Sequence, residues 1–234
     1  MKKSDVKTFL SYIEKVFKNL LDFIWPQFCL ACGREGSLAC GFCLNDILLE
    51  EEQKIVWPDN NHQYFEACYT CCNYQNKLVQ KLIKNYKYSY LENLSNIFVD
   101  ILERQARRLT LPKNTIVVNV PLHKNKKRQR GFDQTELLAH KLAQRLSLTY
   151  YPLLTRTRNN TAQAKLDKSN REKNVLDIFA INQKAASRLA GGRHNILLLD
   201  DVVTTGSTLN QAAKALSQNS LVDIKCLVLA KNKH

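Results

Sequence analysis

The stretch ILLLDDVVTTGSTL, residues 196–209, decides how this chain folds. Apolar residues lead into two adjacent acids, Asp200 and Asp201. Two β-branched residues, a hydroxyl-rich loop with one glycine and an amphipathic run then follow. This order predicts a buried strand, a loop and a helix. The alternative is a buried strand that is merely capped by a polar turn.

The predicted loop carries the donors that bind a phosphate group. It offers backbone N–H groups, several hydroxyls and the positive end of a helix dipole. The two acids at the strand end can accept hydrogen bonds from neighbouring sugar hydroxyls. The stretch resembles the signature of the type I phosphoribosyltransferases, the loop that holds phosphoribosyl pyrophosphate. On this resemblance we expect the phosphate-binding residues to be Val203, Thr204, Thr205, Gly206, Ser207 and Thr208.

Charge is unevenly distributed over the 234 residues. Residues 1–60 carry 7 basic and 9 acidic groups, whereas residues 61–234 carry 28 basic and 12 acidic groups, a net charge of +16. A positive field of this size attracts polyanions, so nucleic acid is one expected partner. A small phosphorylated ligand or simple solubility would explain the charge as well. The length predicts one main domain, residues 62–234, after a small attachment at residues 1–61.

The N-terminal residues predict an amphipathic helix, because apolar side chains recur at helical spacing between Phe9 and Ile24. Its polar face carries both signs of charge, which favours docking on its own protein over a membrane. No run of 18 apolar residues and no targeting pattern is present. We therefore expect a cytoplasmic protein without an integral membrane segment, and peripheral association with the inner membrane stays open.

Two Cys-x-x-Cys pairs are seven residues apart and predict a closed four-thiolate metal site. A closed site indicates structural zinc, and an iron–sulfur cluster or two redox pairs are the alternatives. Gly33 and Gly41 each follow a ligand, where a positive φ is expected. The predicted zinc ligands are Cys29, Cys32, Cys40 and Cys43.

The other four cysteines fall in strand-like sequence. Cys68, Cys71 and Cys72 lie in a predicted strand over residues 64–74, and we favour buried core thiols over a second metal pair. Cys226 lies in the apolar run 224–230 and is expected in a core strand.

A basic segment, which is expected to form a loop, follows the predicted strand at residues 115–120. Helical sequence at residues 77–109 comes before that strand, with a break at residues 84–89 that carries two lysines. Asp133 is expected to cap the helix after the basic segment, paired with Glu136. In a parallel sheet with right-handed crossovers, residues 121–132 and Asp200 lie at the same edge.

Taken together, these motifs resemble the ComF family of bacterial competence proteins. The matching pieces are CLACG, CGFC, LIKNYKY, VPLHKNKKRQRGFDQ, TRNNTAQAKLDKSNREKNV and LLLDDVVTTGSTL, in the family's order over residues 20–230. The family usually has RGFNQ where this chain has Asp133, so Asp133 is not taken as a site residue. The resemblance implies an α/β fold: a type I phosphoribosyltransferase-like parallel sheet with flanking helices, preceded by a small helix and a zinc knuckle.

The resemblance also implies a ligand and the residues that hold it. Phosphoribosyl pyrophosphate would bind with Mg²⁺, and Asp200 and Asp201 would act as the catalytic acids at the ribose. Residues 155–174 match the family's mobile loop. Further residues expected at the ligand are Lys87, Arg130, Gly131 and Arg171.

Two functions are compatible with these features. The first is an accessory protein of DNA uptake and natural transformation that binds phosphoribosyl pyrophosphate or a nucleotide, single-stranded DNA and proteins of the uptake machinery. The second is an active phosphoribosyltransferase that releases pyrophosphate. No nucleobase-recognising hood and no general base is evident in the sequence, so enzymatic activity stays open. The residues expected to contact DNA phosphates are Lys124, Lys126, Lys127, Arg128 and Arg130.

Overall fold

The computed structural model describes residues 26–48, 53–55, 64–88, 92–157, 178–189, 194–218 and 222–232. The chain divides into two compact units, residues 1–46 and residues 47–234. The predicted N-terminal helix, the domain boundary at residue 61 and most of the loop at residues 155–174, Arg171 included, lie outside the described residues. None of the described helices is long and apolar enough to cross a membrane.

The first unit is built around a tight turn. An isolated antiparallel bridge joins Phe28 and Glu35, and the Gly33 N–H donates to the Cys29 carbonyl at 2.9 Å. Gly33 adopts the predicted positive φ, at 73°. The same prediction for Gly41 is wrong, because Gly41 begins helix α1 (Gly41–Ile47) with an ordinary helical backbone.

The second unit is an α/β sheet structure. Its six-stranded sheet has the order β1-β2-β8-β7-β3-β4, and only the β1–β2 pairing is antiparallel. The strands of this sheet are β1 (Gln53–Lys54), β2 (Ala67–Asn73), β3 (Ile116–Asn119), β4 (Thr149–Tyr150), β7 (His194–Val203) and β8 (Val222–Lys231). A separate antiparallel ribbon consists of β5 (Leu154–Arg156) and β6 (Phe179–Ile181). The predicted α/β architecture is confirmed.

Helices connect the strands of the second unit. They are α2 (Lys77–Tyr88), α3 (Glu92–Ala106), α4 (Lys124–Arg130), α5 (Gln134–Leu146), α6 (Gln183–Ala186) and α7 (Ser207–Ser217). Helices α3 and α5 pack against the sheet and against each other. Leu209, Ala212 and Leu216 of α7 belong to the hydrophobic core that includes Ile196 and Leu198.

The strand β7 lies at the centre of the sheet. Its residues 196–199 are at most 3% exposed and pair with β3 on one side and β8 on the other. Both faces of a parallel sheet are covered, so a central strand reads as a continuous apolar run. The LLL run before the two acids is therefore explained by this position.

The remaining cysteines are core residues, as predicted. Cys68 and Cys226 are directly opposite each other on neighbouring parallel strands, and both are fully buried. Cys71 and Cys72 are 2% exposed. Burial raises the pKa of the Cys72 thiol to about 12, so it stays protonated and packs as a small apolar side chain.

Two local predictions were wrong. The expected break at residues 84–89 is helical through Tyr88, because Tyr86 is buried and packs its ring against Phe98 and Phe132 at 5.2 and 5.7 Å. The basic segment expected as a loop forms helix α4. The His123 side chain caps α4 by accepting from the Asn125 N–H at 3.3 Å.

Candidate functional site

The two acids lie at the carboxyl edge of the sheet, beside the end of β3. The Val120 N–H donates to the Leu199 carbonyl at 2.8 Å, so the chain leaves β3 next to Asp200. This confirms the expectation that Asp200 and the segment 121–132 share one sheet edge. Ligands bind at this edge in open α/β sheets.

Asp201 forms an ion pair with a lysine from helix α2. The Lys87 Nζ lies 2.7 Å from Asp201 Oδ2, and the two side chains are 21% and 14% exposed. The Val202 N–H also donates to Asp201 Oδ1. The structure therefore joins two predicted site residues that are far apart in the sequence.

Asp200 is partly buried at the end of the apolar run of β7. Burial is the main cause that raises its pKa to about 8, and the negative charge of Asp201 acts in the same direction. The Asp201 N–H donates to Asp200 Oδ1 at 2.8 Å, which lowers the pKa. The positive charges of Lys87 and Arg156 lower it as well, but these effects offset the rise only in part. A raised pKa favours the protonated carboxyl, which donates as well as accepts a hydrogen bond.

The loop after β7 forms a small pocket at the start of helix α7. Asp200, Val202 and residues 203–209 line this pocket. Gly206 caps α7 with a φ of 78°, a left-handed conformation that glycine adopts without strain. Because glycine has no side-chain oxygen, it leaves the first N–H groups of the helix to other acceptors. The side chains of Thr204, Thr205 and Ser207 are exposed at the pocket.

Arg156 is a residue of this site that the sequence analysis did not single out. It ends strand β5, and its guanidinium lies 5.4 Å from the centre of the Phe179 ring. Burial lowers its pKa, while the carboxylate of Asp200 raises it, so the two groups interact. The only available signal was its place at the start of the basic stretch 155–174, which it shares with five other cations.

Helix α4 presents the predicted basic cluster. Residues 124–129 are all exposed, and Arg130 is half-buried. Lys127 pairs with Glu136 at 2.7 Å, which raises the pKa of the lysine. The Arg130 guanidinium lies 5.4 Å from the centre of the Tyr88 ring. Gly131 ends the helix with a φ of 78°.

Asp133 holds the turn between α4 and α5, which agrees with its predicted role as a cap. Its carboxylate accepts from the Glu136 N–H at 3.2 Å, from the Thr135 hydroxyl at 2.8 Å and from the Leu122 N–H at 2.8 Å. Three donors from the protein stabilise the charged carboxylate. Asp133 therefore serves the backbone and not a ligand.

The four cysteines of the first unit converge on one point. Their sulfur atoms all lie within 4.8 Å of one another, and Cys32 and Cys40 are separated by 3.7 Å between Sγ atoms. Four sulfurs at about 2.3 Å from one tetrahedral ion would be about 3.8 Å apart, so this geometry fits zinc. Burial raises the pKa of Cys29, but the backbone N–H groups around it outweigh burial and lower the pKa to about 6. A lowered pKa favours the thiolate form that binds metal.

Curated proteins with similar sequences are named for competence or for DNA use. Competence protein ComFC of Bacillus subtilis is 28% identical over 207 residues, which cover 85% of this chain and 75% of that protein. DNA utilization protein YhgH of Escherichia coli is 28% identical over 85% of this chain and 82% of that protein. Competence protein F of Haemophilus influenzae is 29% identical, but there the match spans only 55% of this chain and 54% of the relative. No protein-family sequence profile matches the chain.

Solved structures with a similar fold include phosphoribosyltransferases. Adenine phosphoribosyltransferase of Leishmania donovani is 13% identical, with a TM-score of 0.40 over 70% of this chain and 83% of that one. Glutamine phosphoribosylpyrophosphate amidotransferase of Bacillus subtilis, complexed with ADP and GMP, is 14% identical. Its TM-score is 0.40 over 61% of this chain and 30% of that one.

Proposed function

We propose that this chain, as a homologue of the ComF competence and DNA utilization proteins, is an accessory protein of DNA uptake. In this proposal it binds phosphoribosyl pyrophosphate and single-stranded DNA. The names of the relatives confirm the resemblance that the sequence motifs indicated. The single observation that carries the ligand assignment is the pocket after β7, where Asp200 adjoins a hydroxyl loop and a helix N-terminus.

The pocket offers a separate set of groups to each part of a sugar phosphate. Backbone N–H groups at the start of α7 and the hydroxyls of Thr204, Thr205 and Ser207 suit the 5-phosphate. The carboxyls of Asp200 and Asp201 suit the two vicinal hydroxyls of the ribose. In its protonated form Asp200 donates to one sugar oxygen while Asp201 accepts from the other.

The cations around the acids suit the pyrophosphate. Lys87 contacts Asp201, and the charge of Asp200 acts on the pKa of Arg156. When ribose hydroxyls donate hydrogen bonds to the carboxylates, these cations can bind the phosphates of the same ligand. Mg²⁺ would supply further neutralisation of the pyrophosphate when bound, and the carboxylate oxygens of Asp200 and Asp201 are hard donors that would hold it.

Helix α4 suits a nucleic-acid backbone. Its exposed basic side chains point away from any buried core, and contacts to phosphates carry no sequence information. We therefore expect binding that is almost independent of base sequence and strongly weakened by salt. The zinc-compatible cysteine cluster serves the fold of the first unit. Partners in the DNA-uptake machinery and a cytoplasmic location belong to the same proposal.

The second candidate is an active phosphoribosyltransferase. It is favoured by one specific observation: Asp200 and the whole hydroxyl loop line an open pocket, as transfer of a phosphoribosyl group requires. The reaction would release pyrophosphate from the sugar carbon as an acceptor nitrogen or oxygen bonds to it. Both candidates use the same pocket, so a binding measurement alone does not separate them.

One protein preparation tests both candidates. Calorimetry with phosphoribosyl pyrophosphate, with and without Mg²⁺, and anisotropy with labelled single-stranded DNA should both show binding. An assay for pyrophosphate after mixing with each nucleobase should then show none for an accessory protein and steady release for an enzyme. Absence of binding to phosphoribosyl pyrophosphate and to DNA would contradict the proposed function.

A further inference from the structure

The last turn of helix α2 directs three consecutive residues to three different places. Tyr86 is buried and packs on Phe132, Lys87 reaches Asp201, and Tyr88 stays on the surface beside Arg130. Successive helical residues point about 100° apart, so one buried residue and one ion pair fix where the third side chain points. Tyr88 therefore follows directly on the lysine that reaches Asp201, and its ring lies beside Arg130.

Tyr88 is the most exposed of the aromatic residues that the structure describes in the second unit. Its side chain is 67% exposed, whereas Tyr86, two residues earlier, is 1% exposed. The guanidinium of Arg130 lies over its ring, at 5.4 Å from the centroid. One flank of the ring is thus supported by a planar cation, and the exposed remainder of the ring can accept another flat group.

The surroundings of this ring define the ligand that it fits. Arg130 is the last residue of α4, the helix that carries the exposed basic cluster. Lys87, the residue before Tyr88, contacts the acid that we assign to a sugar hydroxyl. A ligand that combines a flat aromatic group, a sugar and phosphates would contact the ring, the acids and the cations at the same time.

We propose that Tyr88, supported by the Arg130 guanidinium, is a stacking subsite for a nucleobase. The base would belong either to a mononucleotide in the pocket or to a single-stranded DNA that crosses α4. This inference extends the proposed function, since it takes the acids at the ribose and the basic helix at the phosphates as given. It also supplies the base-contacting element that the sequence alone does not reveal.

The test compares Tyr88→Leu with Tyr88→Phe. The leucine variant removes the ring and keeps apolar bulk, while the phenylalanine variant keeps the ring and removes only the hydroxyl. Tyr64→Leu is the matched control, because Tyr64 is an exposed tyrosine that precedes β2 and so lies at the opposite edge of the sheet. Circular dichroism of each variant checks the fold.

Three probes separate the base from the phosphates. They are an oligodeoxyadenylate of roughly ten nucleotides, an abasic oligomer of the same length and charge, and adenosine monophosphate. Stacking on an aromatic side chain accounts for roughly a 5- to 100-fold change in affinity per base. We expect Tyr88→Leu to lose about that factor for the oligodeoxyadenylate, whereas Tyr88→Phe and Tyr64→Leu keep wild-type affinity. Binding of the abasic oligomer and of phosphoribosyl pyrophosphate should not change.

The outcomes distinguish the source of the base and the two proposals. A parallel loss for adenosine monophosphate assigns the subsite to a mononucleotide, and a loss for the oligomer alone assigns it to the DNA strand. Wild-type affinity of Tyr88→Leu for both, or equal binding of abasic and base-bearing oligomers by the wild type, would overturn the inference. If the protein does not bind phosphoribosyl pyrophosphate but requires Tyr88 to bind the oligodeoxyadenylate, the pocket assignment is refuted. The stacking subsite is then still supported.

Discussion

The cysteine cluster and the pocket at residues 200–209 are both built from polar groups. The side chains of the cluster converge on one another, whereas those of the pocket loop are exposed to solvent. In the cluster, all four sulfur atoms point at one another within 4.8 Å, and Cys29, Cys40 and Cys43 are buried. In the pocket, the hydroxyls of the loop are exposed, and beside it Asp201 pairs with Lys87.

This difference indicates a structural role for the cluster and a ligand-binding role for the pocket. A cluster whose ligands all face inward gains its stability from the ion that it encloses, so binding and folding are one event. A pocket whose donors face outward can fold first and exchange its ligand later. Loss of the first site should therefore change the fold, and changes in the second should change binding.

The largest effect is expected at the cysteines. Replacing Cys29, Cys32, Cys40 or Cys43 by serine should release zinc and unfold the first unit, because structural zinc contributes about 10–16 kcal/mol in small zinc domains. Elemental analysis and limited proteolysis measure the two consequences. Cys68→Ala, which changes a core thiol in β2, is the control and should keep its zinc. A folded, zinc-free wild-type protein would refute the assignment.

A smaller loss of stability is expected when Lys87, the ion-pair partner of Asp201, is replaced. Lys87→Met leaves Asp201 without its ion pair and removes one of the charges that lower the pKa of Asp200. The free energy of unfolding should fall by about 1–3 kcal/mol. Lys84→Met, on an exposed position of the same helix, is the control. Equal urea midpoints for the two variants would show that the pair does not stabilise the protein.

The pH dependence of stability tests the environment of Asp200. Its pKa rises from an ordinary value of 3.8 to about 8 in the folded protein, so the native state binds more protons than the unfolded state between these values. Stability should therefore fall as pH rises through this interval and level off above it. Asp200→Asn should remove this contribution, and urea midpoints along a pH series measure it. Parallel curves for the wild type and the variant would argue against a buried, proton-holding Asp200.

The smallest effect concerns single contacts on helix α4. Lys127 pairs with Glu136, whereas Lys126 and Arg128 are exposed beside it. Replacing Lys126 and Arg128 by glutamine should lower the salt slope of single-stranded DNA binding by about 1.4 units, at about 0.7 per contact. Lys127→Gln should lower it by less, because its charge is already neutralised in the protein.

Anisotropy titrations at several salt concentrations measure this slope. Lys113→Gln is the charge-matched control, since Lys113 precedes β3 and α4 follows the other end of that strand. If this control lowers the slope as much as a change on α4 does, DNA binding depends on overall charge and not on this helix.

Local sequence was enough for both sites because their parts are close along the chain. The spacing of the cysteine pairs predicted the cluster, and the order of apolar, acidic and hydroxyl residues predicted β7, its loop and α7. Both patterns depend on turn geometry and periodicity, which act over a few residues. The same reasoning predicted that Asp133 caps α5 and that Cys226 lies in a core strand.

Contacts between distant segments could not be predicted in this way. Lys87 meets Asp201 only because the strand order brings α2 to the carboxyl edge of β7. Arg156, on the separate β5–β6 ribbon, acts on the pKa of Asp200 through its charge. The like charges of α4 suggested a loop, but the His123 cap and the Glu136 carboxylate, which lies on the next helix, stabilise a short helix there.

The central claim is that the acids and the hydroxyl loop bind phosphoribosyl pyrophosphate. The most direct test is a calorimetric titration of this ligand with Mg²⁺ into the wild type and into the double variant Asp200→Asn, Asp201→Asn. We expect binding by the wild type and its loss in a double variant that keeps its fold and zinc content, because both ribose acceptors weaken together. Unchanged affinity in the double variant would contradict the claim.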